Sequence, residues 1–153
     1  MKPAAALAVC IAVTFLAPAL GAWAMPDEWY AGLKKPSWNP PSWIFGPVWT
    51  VLYFMMAIAA WLVWRRGGWA RQRRPLTFYL VQLTLNAVWT PLFFGLKMPG
   101  LAFVEILLLL TAIIATAMAF RRASLTAALL LAPYAAWVAF ASFLNFTLWR
   151  LNS

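Results

Sequence analysis

Histidine is absent from this 153-residue chain, cysteine occurs once, and Asp and Glu together number three. Each shortage removes a chemistry. Without histidine, the usual zinc, non-haem iron and His-ligated haem sites lack their ligands, and Ser-His-Asp or Cys-His nucleophile pairs cannot be assembled. A lone cysteine, Cys10, permits no intrachain disulfide. Asp27, Glu28 and Glu105 supply no convincing general acid/base pair. The expectation is no metal, no required cofactor and no conventional catalytic centre.

Charge is scarce as well. Only 10% of residues are charged against 65% hydrophobic, a balance foreign to a soluble domain and suited to a bilayer. The net charge of +9 would suggest nucleic acid in a soluble protein. Here the Lys and Arg residues cluster at the ends of apolar runs, which points to anionic lipid headgroups and away from nucleic acid. Five runs reach the roughly 20 residues that a membrane-crossing helix needs: residues 4–25, 44–64, 77–96, 100–120 and 124–149. The fold class expected is an all-α integral membrane protein, a bundle of five transmembrane helices forming a single domain over residues 1–153.

Arg65, Arg66, Arg71, Arg73 and Arg74 lie between the second and third runs, and Arg121 and Arg122 between the fourth and fifth. The positive-inside rule puts these loops in the cytoplasm with Lys2, the N-terminus inside and the C-terminus outside. A competing reading takes the first run as a secretory signal ending at Ala22-Trp23-Ala24; the run is long for that purpose, and its removal would leave four spans.

What the chain has in excess is tryptophan and proline. Between Trp29 and Trp49 stand four of its eleven tryptophans and four of its eleven prolines, where a soluble protein would place polar turn residues. Indoles suit a place that is part oily and part wet, so residues 26–43 read as a lid or as an interfacial loop. Pro47 starts the second helix, while Pro91 and Pro133 open space within the bundle. Polar residues inside the spans are few, namely Gln82, Asn86, Glu105, Ser142 and Asn145, and intramembrane polar groups are candidates for function.

Helical spacing puts Phe45, Trp49 and Tyr53 on one face of the second helix, Asn86, Trp89 and Phe93 on one face of the third, and Tyr134, Trp137, Ala141 and Asn145 on one face of the fifth. Three such faces would make an apolar pocket with a few orienting polar groups. The plainer reading of each stripe is core packing, with the asparagines joining helices. Glu105 reads as reaching the interface or pairing with Lys97. Trp23, Trp43, Trp64 and Trp149 read as an interfacial belt.

The succession WYAGLKKPSWNPPSW, FGPVWTVLY, LNAVWTPLFF, PYAAWVAF and SFLNFTLWRLN resembles the tryptophan-rich sensory protein family, also called the translocator protein or peripheral-type benzodiazepine receptor family, from Trp29 to Asn152. The resemblance implies a five-helix membrane receptor, often a homodimer, with a lid-closed pocket. Its implied ligands are porphyrins (protoporphyrin IX, haem), sterols and benzodiazepine-type compounds, with a role in tetrapyrrole regulation.

Carried over by position, the pocket comprises Tyr30, Trp38, Pro40, Phe45, Trp49, Asn86, Trp89, Phe93, Trp137, Ala141, Leu144 and Asn145. In members proposed to break down porphyrin in light, the implicated indoles resemble Trp49 and Trp137. The family's sterol consensus maps to Leu144, Phe146 and Arg150, but Phe146 stands where that consensus wants a tyrosine. Three functional readings follow: a porphyrin-binding receptor or sensor, a light-dependent porphyrin-degrading enzyme, and a transporter of porphyrin or sterol. A purely structural subunit is the least specific alternative. In the receptor reading the lid lysines Lys34 and Lys35 attract the ligand's propionates.

Overall fold

Backbone groups in hydrocarbon must be satisfied within their own segment, which leaves helix as the form for runs such as these. The computed structural model, which describes residues 1–153, is built of helices alone: α1 (Pro3–Gly21), α2 (Glu28–Ala31), α3 (Ser42–Trp64), α4 (Gly68–Thr90) continued by a π-helical turn (Pro91–Gly95), α5 (Pro99–Ala123), α6 (Leu125–Leu130) and α7 (Ala132–Leu151). With α6 and α7 taken together, five helices are long and apolar enough to span a membrane. The protein is an integral, multi-pass membrane protein.

The bundle is held by an apolar core in which Met56, Ala59 and Val63 of α3 meet Ile113 and Phe120 of α5 and Tyr134 and Val138 of α7. Helix α1 packs on α3 and α4, and its buried Thr14 hydroxyl bonds the Tyr79 hydroxyl of α4. The first run thus belongs to the bundle's packing.

Several features differ from the sequence-based expectation, among them Pro47, which lies inside α3 (Ser42–Trp64) and does not start it. The third membrane helix begins at Gly68, not at 77, so Arg71, Arg73 and Arg74 ride on its first turns, with a kink where Gln72 adopts φ −114°, ψ 27°. Three residues later stands Pro75, whose ring disfavours a regular turn before it. The reversal from α3 is confined to 65–67 because Gly67 (φ 128°) and Gly68 (φ 66°) accept left-handed backbone.

At the other end of that helix Pro91 offers no N–H, and the turn widens so that Leu96 N–H bonds Pro91 O at 2.8 Å. Phe93 is thereby buried to 1% exposure. The lid, too, has regular structure: α2 is one turn, capped by Asp27, whose carboxylate accepts from Trp29 N at 3.0 Å and Tyr30 N at 3.4 Å.

Candidate functional site beneath the tryptophan lid

The lid is fastened at its start and near its middle. Asp27 pairs with Lys97 in the α4–α5 connection at 3.6 Å. At the far side, Asn152 accepts from the Lys34 backbone N–H at 2.8 Å, donates to the Lys34 carbonyl at 2.9 Å and donates to Leu148 O at 2.8 Å. Lys35 turns back on the lid itself, donating to the carbonyls of Tyr30 (2.8 Å), Ala31 (3.3 Å) and Leu33 (3.3 Å) and lying 4.6 Å from the centre of the Tyr30 ring. Lys35 is therefore committed to holding the lid's shape, and Lys34 is the lid cation left exposed.

Under the lid the aromatic side chains form two groups. The first half of the lid rests on the π turn: Trp29 lies 5.8 Å from Phe93, Tyr30 5.2 Å from Phe94, and Trp89 stacks on Phe93 at 5.0 Å. Burial among these rings pushes the Tyr30 phenol above its ordinary value, keeping it a neutral hydrogen-bonding group. The second half rests on α7: Trp38 stacks on Phe143 at 5.3 Å and meets Phe140 edge-on at 5.9 Å, while Trp137 lies 5.5 Å from Phe140 and 5.9 Å from Phe45 of α3. Phe93, Ala102, Leu144 and Leu148 join the two groups as a small apolar floor.

One turn further from the lid the character changes. Tyr53 donates to Asn86 Oδ1 at 2.7 Å, Asn86 Nδ2 donates to Tyr134 Oη at 2.8 Å, and Tyr134 donates to Gln82 Oε1 at 2.8 Å. Trp49 covers this chain of bonds, 5.5 Å from Tyr53 and 6.1 Å from Tyr134. Asn145, 1% exposed, accepts from Trp89 Nε1 at 2.9 Å and donates to Pro99 O at 2.9 Å. Both asparagines picked out by helical spacing thus spend their amides on other parts of the protein.

The three faces read from periodicity do converge: Tyr30, Trp38, Phe45, Trp89, Phe93, Trp137 and Leu144 lie at the lid end, and Trp49 lies one turn deeper over Tyr53 and Tyr134. Ala141 packs beside the main core, and Pro40 follows Asn39 at the lid's base, where Asn39 Nδ2 bonds Pro40 O at 3.4 Å. The sterol triad is not brought together. Leu144 is buried, whereas Phe146 and Arg150 face outward, the first against Phe103 and the second 5.9 Å from the Trp149 ring. Glu105 does not pair with Lys97, whose partner is Asp27.

Several contributors were not singled out from sequence. Phe140 lies one turn from Trp137, so extending that stripe would have found it. Trp29, Phe94, Phe143 and Asn39 follow from how the lid docks, and Asn152 from a contact spanning 118 residues, for which no local signal exists. Two of the buried polar atoms left without a partner sit here: the Trp137 indole nitrogen and the Asn39 side-chain oxygen.

Together these features define a class: a five-helix membrane protein with one end closed by an aromatic lid docked on two helices. Residues 6–150 match the TspO/MBR family, and the chain belongs to it. It is 48% identical over 127 residues to the translocator protein of Ovis aries and 47% identical over 127 residues to that of Homo sapiens, in each case covering 82% of this chain and 75% of the relative. It is 43% identical over 145 residues to the tryptophan-rich sensory protein of Cereibacter sphaeroides, covering 92% of this chain and 90% of that one.

Proposed function

We propose that the protein is a membrane receptor or sensor that takes a flat tetrapyrrole, protoporphyrin IX or haem, between the indoles under its lid, and that this binding serves tetrapyrrole regulation. The observation that carries the reading is the unpaired Trp137 N–H, buried beside Phe45 and Phe140 under a lid whose Asn39 carbonyl is also unpaired. Native proteins leave few buried polar atoms unmatched, and a donor and an acceptor so placed suit a ligand with polar groups on an apolar body. Burial of the macrocycle supplies most of the affinity. Trp49 and Trp137 provide stacking surfaces, and exposed Lys34 attracts a propionate at the rim. A sterol is the poorer fit, because Leu144 points into the core while Phe146 and Arg150 point out of it.

The test is a titration of the purified protein with protoporphyrin IX, followed by tryptophan quenching, on wild type and on a Trp49→Phe, Trp137→Phe double variant. Loss of about tenfold or more in affinity, the equivalent of ~1.4 kcal/mol, is expected in the double variant. Unchanged affinity would overturn the assignment.

A further inference from the structure

Every arginine from Arg65 to Arg122 lies at the end of the bundle opposite the lid, and all are exposed. No acid answers them there: Asp27 and Glu28 belong to the lid, and Glu105 sits in the lid-side half of α5. The protein's one ion pair, Asp27 with Lys97, is likewise at the lid. Two of these arginines are set apart by what adjoins them. The Arg74 guanidinium lies 5.6 Å from the centre of the Phe78 ring, and Phe78 is a wall of a groove of about 320 Å³ between α4 and α5.

Phe78, Val81 and Leu85 form the α4 wall of that groove, and Thr111, Ala112 and Ala115 face them from α5. Arg74 precedes Leu85 by eleven residues, and Arg122 follows Thr111 by eleven. Eleven residues make three helical turns, so each arginine stands on the stripe of its own helix that forms a wall. Helices α4 and α5 run antiparallel, with the Tyr79–Phe120 stack at 5.9 Å joining their arginine ends. Both stripes therefore end in a cation at the same mouth. The Thr111 hydroxyl is spent on Leu107 O at 2.9 Å, which leaves the walls apolar. From Arg74 to Leu85 the helix rises about 16 Å, roughly half of a ~30 Å hydrocarbon core. The groove thus runs through one leaflet, from headgroup level to near the midplane.

We propose that the α4–α5 groove is a binding site for an anionic phospholipid of that leaflet, with an acyl chain along its apolar walls and the phosphate held by Arg74 and Arg122. Guanidinium groups suit this partner because they bond phosphate oxygens in pairs, and basic pockets between membrane helices favour such headgroups. A zwitterionic lipid fills the groove equally well but brings its own cation beside the two arginines. A second copy of the chain, docked face to face, would bring four arginines together in one interface, which like charge opposes. The site lies at the far end from the lid and does not depend on tetrapyrrole binding.

The test is native mass spectrometry of the purified full-length protein in a non-ionic detergent, titrated with phosphatidylglycerol and with phosphatidylcholine of the same acyl chains. One saturable phosphatidylglycerol adduct, bound about tenfold more tightly than phosphatidylcholine, is expected. The double variant Arg74→Gln, Arg122→Gln should abolish the preference. Arg65→Gln with Arg66→Gln removes the same charge from the same end but away from the groove, and should keep it. Ala112→Leu, which fills the groove and spares both arginines, should weaken both lipids. No preference in wild type, or an equal loss in the Arg65→Gln, Arg66→Gln control, overturns the proposal in favour of a diffuse field of charge. Undiminished phosphatidylglycerol binding in Ala112→Leu also overturns it; if that variant dissociates a two-chain species at the same time, the groove belongs to a second copy of the chain.

Discussion

At the level of Asn86 the bundle is tied by Tyr53, Asn86, Tyr134 and Gln82, whose hydrogen bonds end on one another, whereas a turn nearer the lid Trp137 and Asn39 each keep a polar atom unspent. Both levels are built from aromatic rings and amides, and what separates them is satisfaction. The inner level closes its polar accounts within the protein, so it specifies how α3, α4 and α7 meet. The outer level encloses a donor and an acceptor among rings that are held together by a lid, and that lid is attached through a handful of contacts. Residue type alone does not distinguish a helix-joining asparagine from a ligand-binding one; the partner atoms do.

The comparison is broken most severely by removing the hydroxyl at the centre of the inner level. Tyr134→Phe leaves Asn86 Nδ2 and Gln82 Oε1 buried without partners and should cost about 2 kcal/mol of stability. This would be seen as a lower midpoint in denaturant unfolding in detergent micelles.

A smaller effect is expected at the lid. Asn152→Ala removes both bonds to the Lys34 backbone, so amide exchange over residues 33–41 should quicken by about fivefold, the counterpart of ~1 kcal/mol, with the unfolding midpoint little moved. Protoporphyrin should then both enter and leave faster, as read by stopped-flow quenching. Exchange indistinguishable from wild type would mean that the docked rings alone hold the lid.

The smallest change is expected at the other fastening. Asp27→Asn keeps the acceptor that caps α2 and loses only the pair with Lys97, whose side chains are 49% and 46% exposed. An exposed pair of this kind contributes under about 0.5 kcal/mol and is screened by salt. Lid exchange in the variant should match wild type at high ionic strength.

Much of this organisation was legible in the sequence. Five apolar runs announced five spans because length and hydropathy are properties of a segment by itself. The faces around Trp49, Trp89 and Trp137 were legible for the same reason, since spacing along one helix fixes which side chains share a side. What spacing does not contain is the partner across the gap. Tyr53, Asn86 and Tyr134 come from three helices, and only their packing reveals that the asparagine is fully spent. The start of α4 was obscured because five arginines close to two glycines have the look of a loop, although three of them ride on the helix, Arg71 before the kink at Gln72 and Arg73 and Arg74 beyond it. The one-turn helix α2 and the Asn152 clasp depend on where the lid lands, a long-range outcome that no local window records.

The division between the two levels is tested most directly by measuring protoporphyrin affinity and unfolding midpoint on the same preparations of two single variants, Trp137→Phe and Asn86→Ala. The expected result is a crossing. Trp137→Phe should bind several-fold more weakly with its midpoint nearly unchanged. Asn86→Ala should lose about 2 kcal/mol of stability while binding close to normally wherever it remains folded. Wild-type affinity in Trp137→Phe together with a selective loss of affinity in Asn86→Ala would contradict it, and would place the ligand in the inner level instead.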